Sequence, residues 1–168
     1  ARRFRGQLFQ VVAGAQAMVG LLPTGTRPGD ATPQVSLFVS VRLDRAAALR
    51  ARGFNAFRDQ TLALAPMAEP VFAALDSFDA LLGASYRDVR LPRLDFGRVV
   101  YVGDSGHAMS PQLGQGSNLA LLDALALAQA LRTHGDLARA LPAYSRARRA
   151  QLGYYQWANR LLTPFFQG

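Results

Sequence analysis

The chain contains no cysteine and no lysine. The first absence excludes a disulfide scaffold, a thiolate nucleophile and a Cys-ligated metal. The second makes every basic side chain an arginine: nineteen of them against eleven acids, for a net charge of +8. Alanine is abundant too. A bias towards GC-rich codons would produce both features, so the charge alone does not argue for a nucleic-acid partner. Only two histidines occur, and no spaced His/Asp/Glu cluster accompanies them, so no metal site is expected. Charged residues are scarce at 18% and apolar ones make up 50%, which argues against disorder. Long hydrophobic runs are missing as well. None reaches the roughly 18 residues of a membrane span; the longest, Leu119 to Leu131, is broken by Asp123 and Gln129. There is no initiator Met and no signal-peptide core. The expectation is a cytoplasmic protein not integral to a membrane, of one-domain size at 168 residues and a piece of something longer.

What is present begins as β structure. Gln7–Val12 and Ala17–Leu22 are apolar runs of strand length, separated by Ala13-Gly14-Ala15. Pro23-Thr24-Gly25 and Arg27-Pro28-Gly29-Asp30 carry turn chemistry. Gln34–Arg42 alternates, with Val35, Leu37, Val39 and Val41 on one face. A three-stranded antiparallel meander is predicted. Helices follow: Arg45–Arg52 with Asp44 as N-cap and Gly53 as stop, a stretch through Phe54, Phe57, Leu62 and Leu64, and Glu69–Leu75. Phe78–Gly83 reads as irregular.

The second half has a different grammar. Tyr86–Leu91 reads as extended and Arg98–Val102 as a fully buried strand. A helix over Leu119–His134, apolar nearly all round and ended by Gly135, should be buried. Asp136 caps a short helix. Pro142 fits the first turn of a last helix that Pro164 stops.

The informative stretch joins the strand to the long helix. Gly103-Asp104 puts a carboxylate at the strand's carboxyl end, where open α/β folds bind ligands and where it can accept hydrogen bonds from a sugar alcohol. Gly114-Gln115-Gly116 lets backbone approach a flat group, because no Cβ intervenes. It leads into a helix N-terminus whose first N–H groups are unpaired and carry about half a positive charge. That end suits an anion, or a ring that becomes anionic on reduction.

Val100 to Asn118, with its Gly103-Asp104-Ser105-Gly106-His107 and its Pro111-Gln112-Leu113-Gly114-Gln115-Gly116-Ser117-Asn118, resembles the second flavin motif of the single-component FAD-dependent aromatic hydroxylases. These are the monooxygenases of the p-hydroxybenzoate and polyprenylphenol hydroxylase type. The fit covers residues 98–132, and Tyr144 with Arg148 or Arg149 matches the family's Tyr-x-x-x-Arg feature more weakly. The resemblance implies FAD as cofactor, NAD(P)H as reductant, O2 as co-substrate and a small aromatic substrate. It implies that Asp104, beside Gly103, binds a ribityl hydroxyl, and that Pro111 and Leu113 lie at the flavin. The N–H groups of Ser117 and Asn118 would face the N1–C2=O edge, with Gly114, Gln115 and Gly116 permitting the approach. No catalytic side chain is assigned, in keeping with chemistry carried by the cofactor.

Departures are few. Ser105-Gly106 replaces two alanines, and Leu122 replaces the first acid of a pair, leaving Asp123. The larger one is the missing Gly-x-Gly-x-x-Gly unit for the ADP half of FAD. The chain thus resembles the C-terminal half of such an enzyme. The expected fold is α/β (α+β): residues 1–95 a partial substrate-binding domain with an antiparallel sheet, residues 96–168 the C-terminal part of the FAD domain. Such a piece is expected to hold FAD weakly and to pair with a missing N-terminal half or with its own copy.

Plainer readings stand beside these. Asp123, alone on an apolar helix, reads as part of a buried polar network, and His107 as a structural hydrogen-bonding residue. Arg139, Arg146, Arg148, Arg149 and Arg160 read as a solvated face; Phe4, Phe9, Phe38, Phe54 and Phe57 read as core. Gly103-Asp104-Ser105-Gly106 also echoes serine hydrolases with Gly-Asp-Ser motifs. That alternative needs a base at Ser105, and His107 is poorly spaced for it. A basic, non-catalytic binding module is the other alternative; scattered arginines without interleaved aromatics speak against nucleic acid.

Overall fold

The structure is a computed structural model that describes residues 4, 6–14 and 17–166. Ala15 of the expected first turn lies outside the described residues. Residues up to Gly83 and from Pro164 onward form one compact unit, and Ala84–Thr163 forms a second.

The first unit opens with the meander. Strands β1 (Phe9–Ala13), β2 (Ala17–Arg27) and β3 (Asp30–Val41) form an antiparallel sheet in the order β1-β2-β3. Both β2 and β3 are longer than their apolar cores suggested. Pro23-Thr24-Gly25 does not turn the chain; it makes a register shift inside β2, because the real reversal lies at Pro28-Gly29. There Gly29 takes φ +79°, the backbone that a Pro-Gly pair supplies to a tight turn.

The sheet has two unlike faces. Val19 and Leu21 are buried, and Val35, Leu37 and Val39 pack beside them onto a cluster of Phe57, Ala68 and Phe72. Phe54, Phe57, Phe72 and Phe78 meet there at centroid distances of 5.5–6.2 Å, within the range of favourable edge and tilted contacts. Phe4 joins this core, whereas Phe9 is 40% exposed, so that one expected core position is corrected. On the opposite face the ring of Phe38 lies over Gly20, the residue it pairs with across the strands.

Helices α1 (Leu43–Ala51), α2 (Phe54–Leu64) and α3 (Glu69–Phe72) follow, with single 3-10 turns at Pro66–Ala68 and Phe78–Ala80. Asp44 is not the N-cap of α1. Arg42 holds that position, and Asp44 sits in the first turn, paired with the Arg42 guanidinium at 3.1 Å. α3 is shorter than expected because its apolar residues are spent within one turn, against the phenylalanine cluster.

The second unit departs more from the sequence reading. Residues 86–91, read as extended, join no sheet among the described residues and touch the motif loop through Val89 N–H donating to the Ala108 carbonyl at 2.8 Å. The expected buried strand shrinks to β5 (Val99–Val100), which pairs only with β4 (Asp95–Phe96) among the described residues. Val99 within it and Val102 just beyond it are exposed. A β-branched run is fully buried only when strands pair both its edges and packed layers cover both its faces, and β4 pairs only one edge.

A short α4 (Asp104–His107) and a 3-10 turn at Pro111–Leu113 lead to α5 (Gly116–His134) and α6 (Leu137–Phe166). Gly135 ends α5 with positive φ, as expected. α5 is not buried all round: Leu119, Asp123 and Ala130 form its inward stripe, while Leu121 and Leu125 are exposed. A single neighbouring layer can cover only one stripe of a helix.

The two terminal helices expected around Pro142 are one. Asp136 caps it, its carboxylate accepting the Arg139 N–H at 3.0 Å. Pro142 merely withholds an N–H from the carbonyl four residues back, and Pro164 sits in the last turn rather than ending the helix. Leu94, Leu119, Ala140, Tyr144 and Leu152 form the core where α5 and α6 meet the β4–β5 hairpin, with Val100 and Tyr101 against it.

Candidate functional site

The motif residues converge at the junction of β5, α4 and α5. Gly103 turns the chain at φ +58°, ψ −141°, a backbone that favours glycine. A Cβ there would also stand 3.2 Å from the Ala120 Cβ. The turn leaves the Asp104 side chain exposed and without an ion-pair or hydrogen-bond partner among the described residues. Ser105 closes the same turn, its hydroxyl donating to the Val102 carbonyl at 2.7 Å.

Asp123 organises the site from beneath. Its Oδ2 accepts the Gly103 N–H at 2.8 Å and lies 2.5 Å from His107 Nε2; its Oδ1 accepts Arg148 Nε at 2.7 Å. All three side chains are buried. Arg148 also donates to the Leu119 carbonyl and to Gln151. Burial by itself would raise the Asp123 carboxyl, but the hydrogen bonds from His107, Arg148 and Gly103 outweigh it and hold the group below its ordinary value. The network ties the Gly103-Asp104 turn, α5 and α6 together.

Tyr144 stands one helical turn before Arg148 and donates its hydroxyl to the Tyr101 carbonyl at 3.0 Å. Burial and the nearby Asp123 charge push this phenol well above its ordinary value. The Tyr-x-x-x-Arg pair thus grips both ends of the motif strand and turn. Arg148 is thereby corrected from the solvated face to the core, while Arg139 and Arg146 remain exposed. The expected roles of His107 and Asp123 as a buried polar network hold.

Gly114, Gln115, Gly116, Ser117 and Asn118 lead into α5. The N–H groups of Gly116, Ser117 and Asn118 make no hydrogen bond to another described residue. Open space surrounds the Cβ position of Gly114, and that of Gly116 is 3.9 Å from Asp104 Oδ1. So the Asp104 carboxylate and the open helix end face one shared region. The Asn118 side chain is committed to Gln115 Oε1 at 2.9 Å, which leaves its backbone N–H as the free group. Pro111 and Leu113 flank Gln112, whose side-chain amide is buried with both polar atoms unpartnered. Sequence reasoning passed over Gln112; nothing in its spacing distinguishes it, and only burial reveals its unused hydrogen-bonding capacity.

This set suits a flavin: a free carboxylate for a polyol, glycines where a flat ring approaches, and unpaired N–H groups where negative charge develops. It does not suit a serine hydrolase. Ser105 is engaged with its own backbone, and His107 is turned to a buried carboxylate. No group of three or more metal-ligating side chains occurs among the described residues.

The sequence profile of the family described as "FAD binding domain" matches residues 31–152, and the chain belongs to that family. Its cofactor is FAD. The chain is 48% identical over 60 residues to a kynurenine 3-monooxygenase of Xanthomonas oryzae pv. oryzae, a match covering 36% of the chain and 13% of that protein. A kynurenine 3-monooxygenase of Xanthomonas campestris pv. campestris is 51% identical over 53 residues, 32% of the chain and 12% of that protein. In fold it is similar to PqsL, a probable FAD-dependent monooxygenase from Pseudomonas aeruginosa, with a TM-score of 0.77 at 22% identity over 99% of the chain and 46% of PqsL. HpxO of Klebsiella pneumoniae, solved with FAD and uric acid, gives 0.60 at 26% identity over 92% of the chain and 38% of HpxO. The chain spans less than half the length of these solved structures, and its matches cover about an eighth of the curated relatives.

Proposed function

We propose that the chain supplies the ribityl- and ring-facing half of the flavin site in an FAD-dependent monooxygenase acting on a small aromatic substrate, with NAD(P)H as reductant. In this reading residues 1–95 belong to the substrate-binding domain and residues 96–168 to the FAD domain. The observation that carries it is the shared region between the Asp104 carboxylate and the unpaired N–H groups at the start of α5, held in place by Asp123. With NAD(P)H as reductant, the cytoplasm is the proposed compartment. No helix among the described residues is long and apolar enough to cross a membrane.

Bound FAD would supply the oxidation–reduction chemistry. The protein's part is to bind, orient and stabilise charge. Asp104 accepts hydrogen bonds from the ribityl chain. The α5 terminus, through Gly116, Ser117 and Asn118, stabilises negative charge on the reduced ring. Pro111 and Leu113 shape the ring's apolar contact, and Gly103, Gly114 and Gln115 give the backbone its path. A second polypeptide segment, from the rest of the protein or from another copy, is proposed to cover Leu121, Leu125, Val99 and Val102, which are exposed here.

Flavin fluorescence titration of the chain tests this reading. Weak, saturable quenching of FAD that Asp104→Ala abolishes is the expected result. Quenching unchanged by Asp104→Ala would defeat the site assignment. Stoichiometric yellow flavin co-purifying with a chain of this mass would defeat the expectation that this half holds FAD only weakly.

A further inference from the structure

Between residues 88–90 and the outer part of α6 lies a cavity of about 150 Å³. Arg90, Arg160, Trp157, Gln156, Gly153 and Met109 form most of its wall. All belong to the second unit, and none is a residue assigned above to flavin.

The chemistry of this wall is unusual for a surface dent. The guanidinium groups of Arg90 and Arg160 make no ion pair or hydrogen bond with another described residue. One carboxylate, Asp88, also lines the space, so positive charge is in excess. Trp157 presents an indole that is 62% exposed, a large apolar surface to leave in water. Gln156 spends its amide N–H on the Val89 carbonyl at 3.1 Å. It thereby fixes the chain segment to the helix while its carbonyl remains free to accept.

Gly153 is the most telling. It sits inside a 30-residue helix, where glycine is the poorest residue after proline. Close packing does not require it, because no atom stands within 4 Å of its Cβ position. What the missing side chain provides is open space. A second cavity of about 340 Å³ shares Arg90, Gly153 and Gln156 with the first, so the space continues past the glycine.

Unpaired guanidinium groups bind carboxylates through charge-assisted hydrogen bonds, and an exposed indole stacks on a planar ring. We infer that this groove is a binding site for a small aromatic carboxylate, separate from the flavin-binding residues. The inference does not depend on the flavin reading.

Trp157 is the chain's single tryptophan, so its fluorescence, excited where tyrosine does not absorb, reports on the groove directly. Benzoate is the probe, with benzamide and acetate as controls lacking the charge and the ring. Benzoate is expected to give a saturable change, and each control to bind at least about tenfold more weakly. Arg90→Gln with Arg160→Gln is expected to weaken benzoate by about tenfold or more. Gly153→Leu is expected to remove the response by filling the space. Circular dichroism checks that each variant keeps its helices. A change that never saturates, equal binding of benzoate and benzamide, or an unaltered benzoate curve in the folded double arginine variant would overturn the inference. Since this readout needs no flavin, its failure and that of the flavin titration are told apart.

Discussion

His107 and Asp123, sixteen residues apart in the chain, meet at 2.5 Å with both side chains fully buried. The same carboxylate takes the Gly103 N–H and the Arg148 guanidinium. One acid on an otherwise apolar helix therefore sets the turn that presents Asp104.

Asp123→Asn is expected to destabilise the chain by about 3 kcal/mol, because it leaves a buried arginine without its counter-charge. The pH dependence has a definite sign. The folded carboxyl lies below its ordinary 3.8, so its stabilisation is complete above that value and is lost as pH falls through the lower folded value. Urea midpoints followed from neutral into acid should fall steeply in the parent and less in the variant. Equal slopes would show that Asp123 is not the titrating group.

Tyr144 works at the other end of the pH scale. Its folded phenol lies above the ordinary 10.0, so its stabilisation is complete below that value and is lost as pH rises through the higher folded one. Tyr144→Phe should cost about 1 kcal/mol at neutral pH, through the lost hydrogen bond to the Tyr101 carbonyl. It should also flatten the alkaline limb of a thermal-unfolding series. A variant as alkali-sensitive as the parent would refute the assignment.

Asp104→Ala separates binding from folding. The side chain is exposed and unpartnered, so the unfolding free energy should change by no more than about 0.5 kcal/mol. FAD affinity should fall by about tenfold or more, the loss of a hydrogen bond to a charged group. A strongly destabilised variant would instead make Asp104 a structural residue.

Gly20→Ala tests the far face of the sheet. An added Cβ would stand 1.9 Å from Phe38 Cζ, so the ring must move at a cost of about 1–3 kcal/mol. Adding Phe38→Ala should recover part of that loss, and a double-mutant cycle in chemical denaturation measures it. Additive effects would mean that the two residues do not touch.

Local signals in the chain were legible where the chemistry is local. The alternation of Gln34–Arg42 marked β3, the aromatic spacing marked α2, and Gly135 marked the end of α5. Pro142, in the second turn, and Pro164, in the last, misled because each removes a single backbone hydrogen bond, which the packing of the helix's other residues offsets. The buried strand misled because burial belongs to the neighbours of a strand, not to its composition.

The sequence by itself determined the cofactor class. The run from Gly103-Asp104 to Gly116-Ser117-Asn118 is contiguous, and its resemblance to a known flavin motif carries that conclusion. Only the tertiary structure decided what holds that run in place. Asp123, His107, Tyr144 and Arg148 come from three helices, and no spacing rule joins a helix residue to a turn twenty positions earlier. The unpaired Arg90 and Arg160 around Trp157 were invisible for the same reason. Residues 88–90 and the helix carrying Arg160 become neighbours only when the chain has packed, with Gln156 donating to the Val89 carbonyl across 67 positions of sequence.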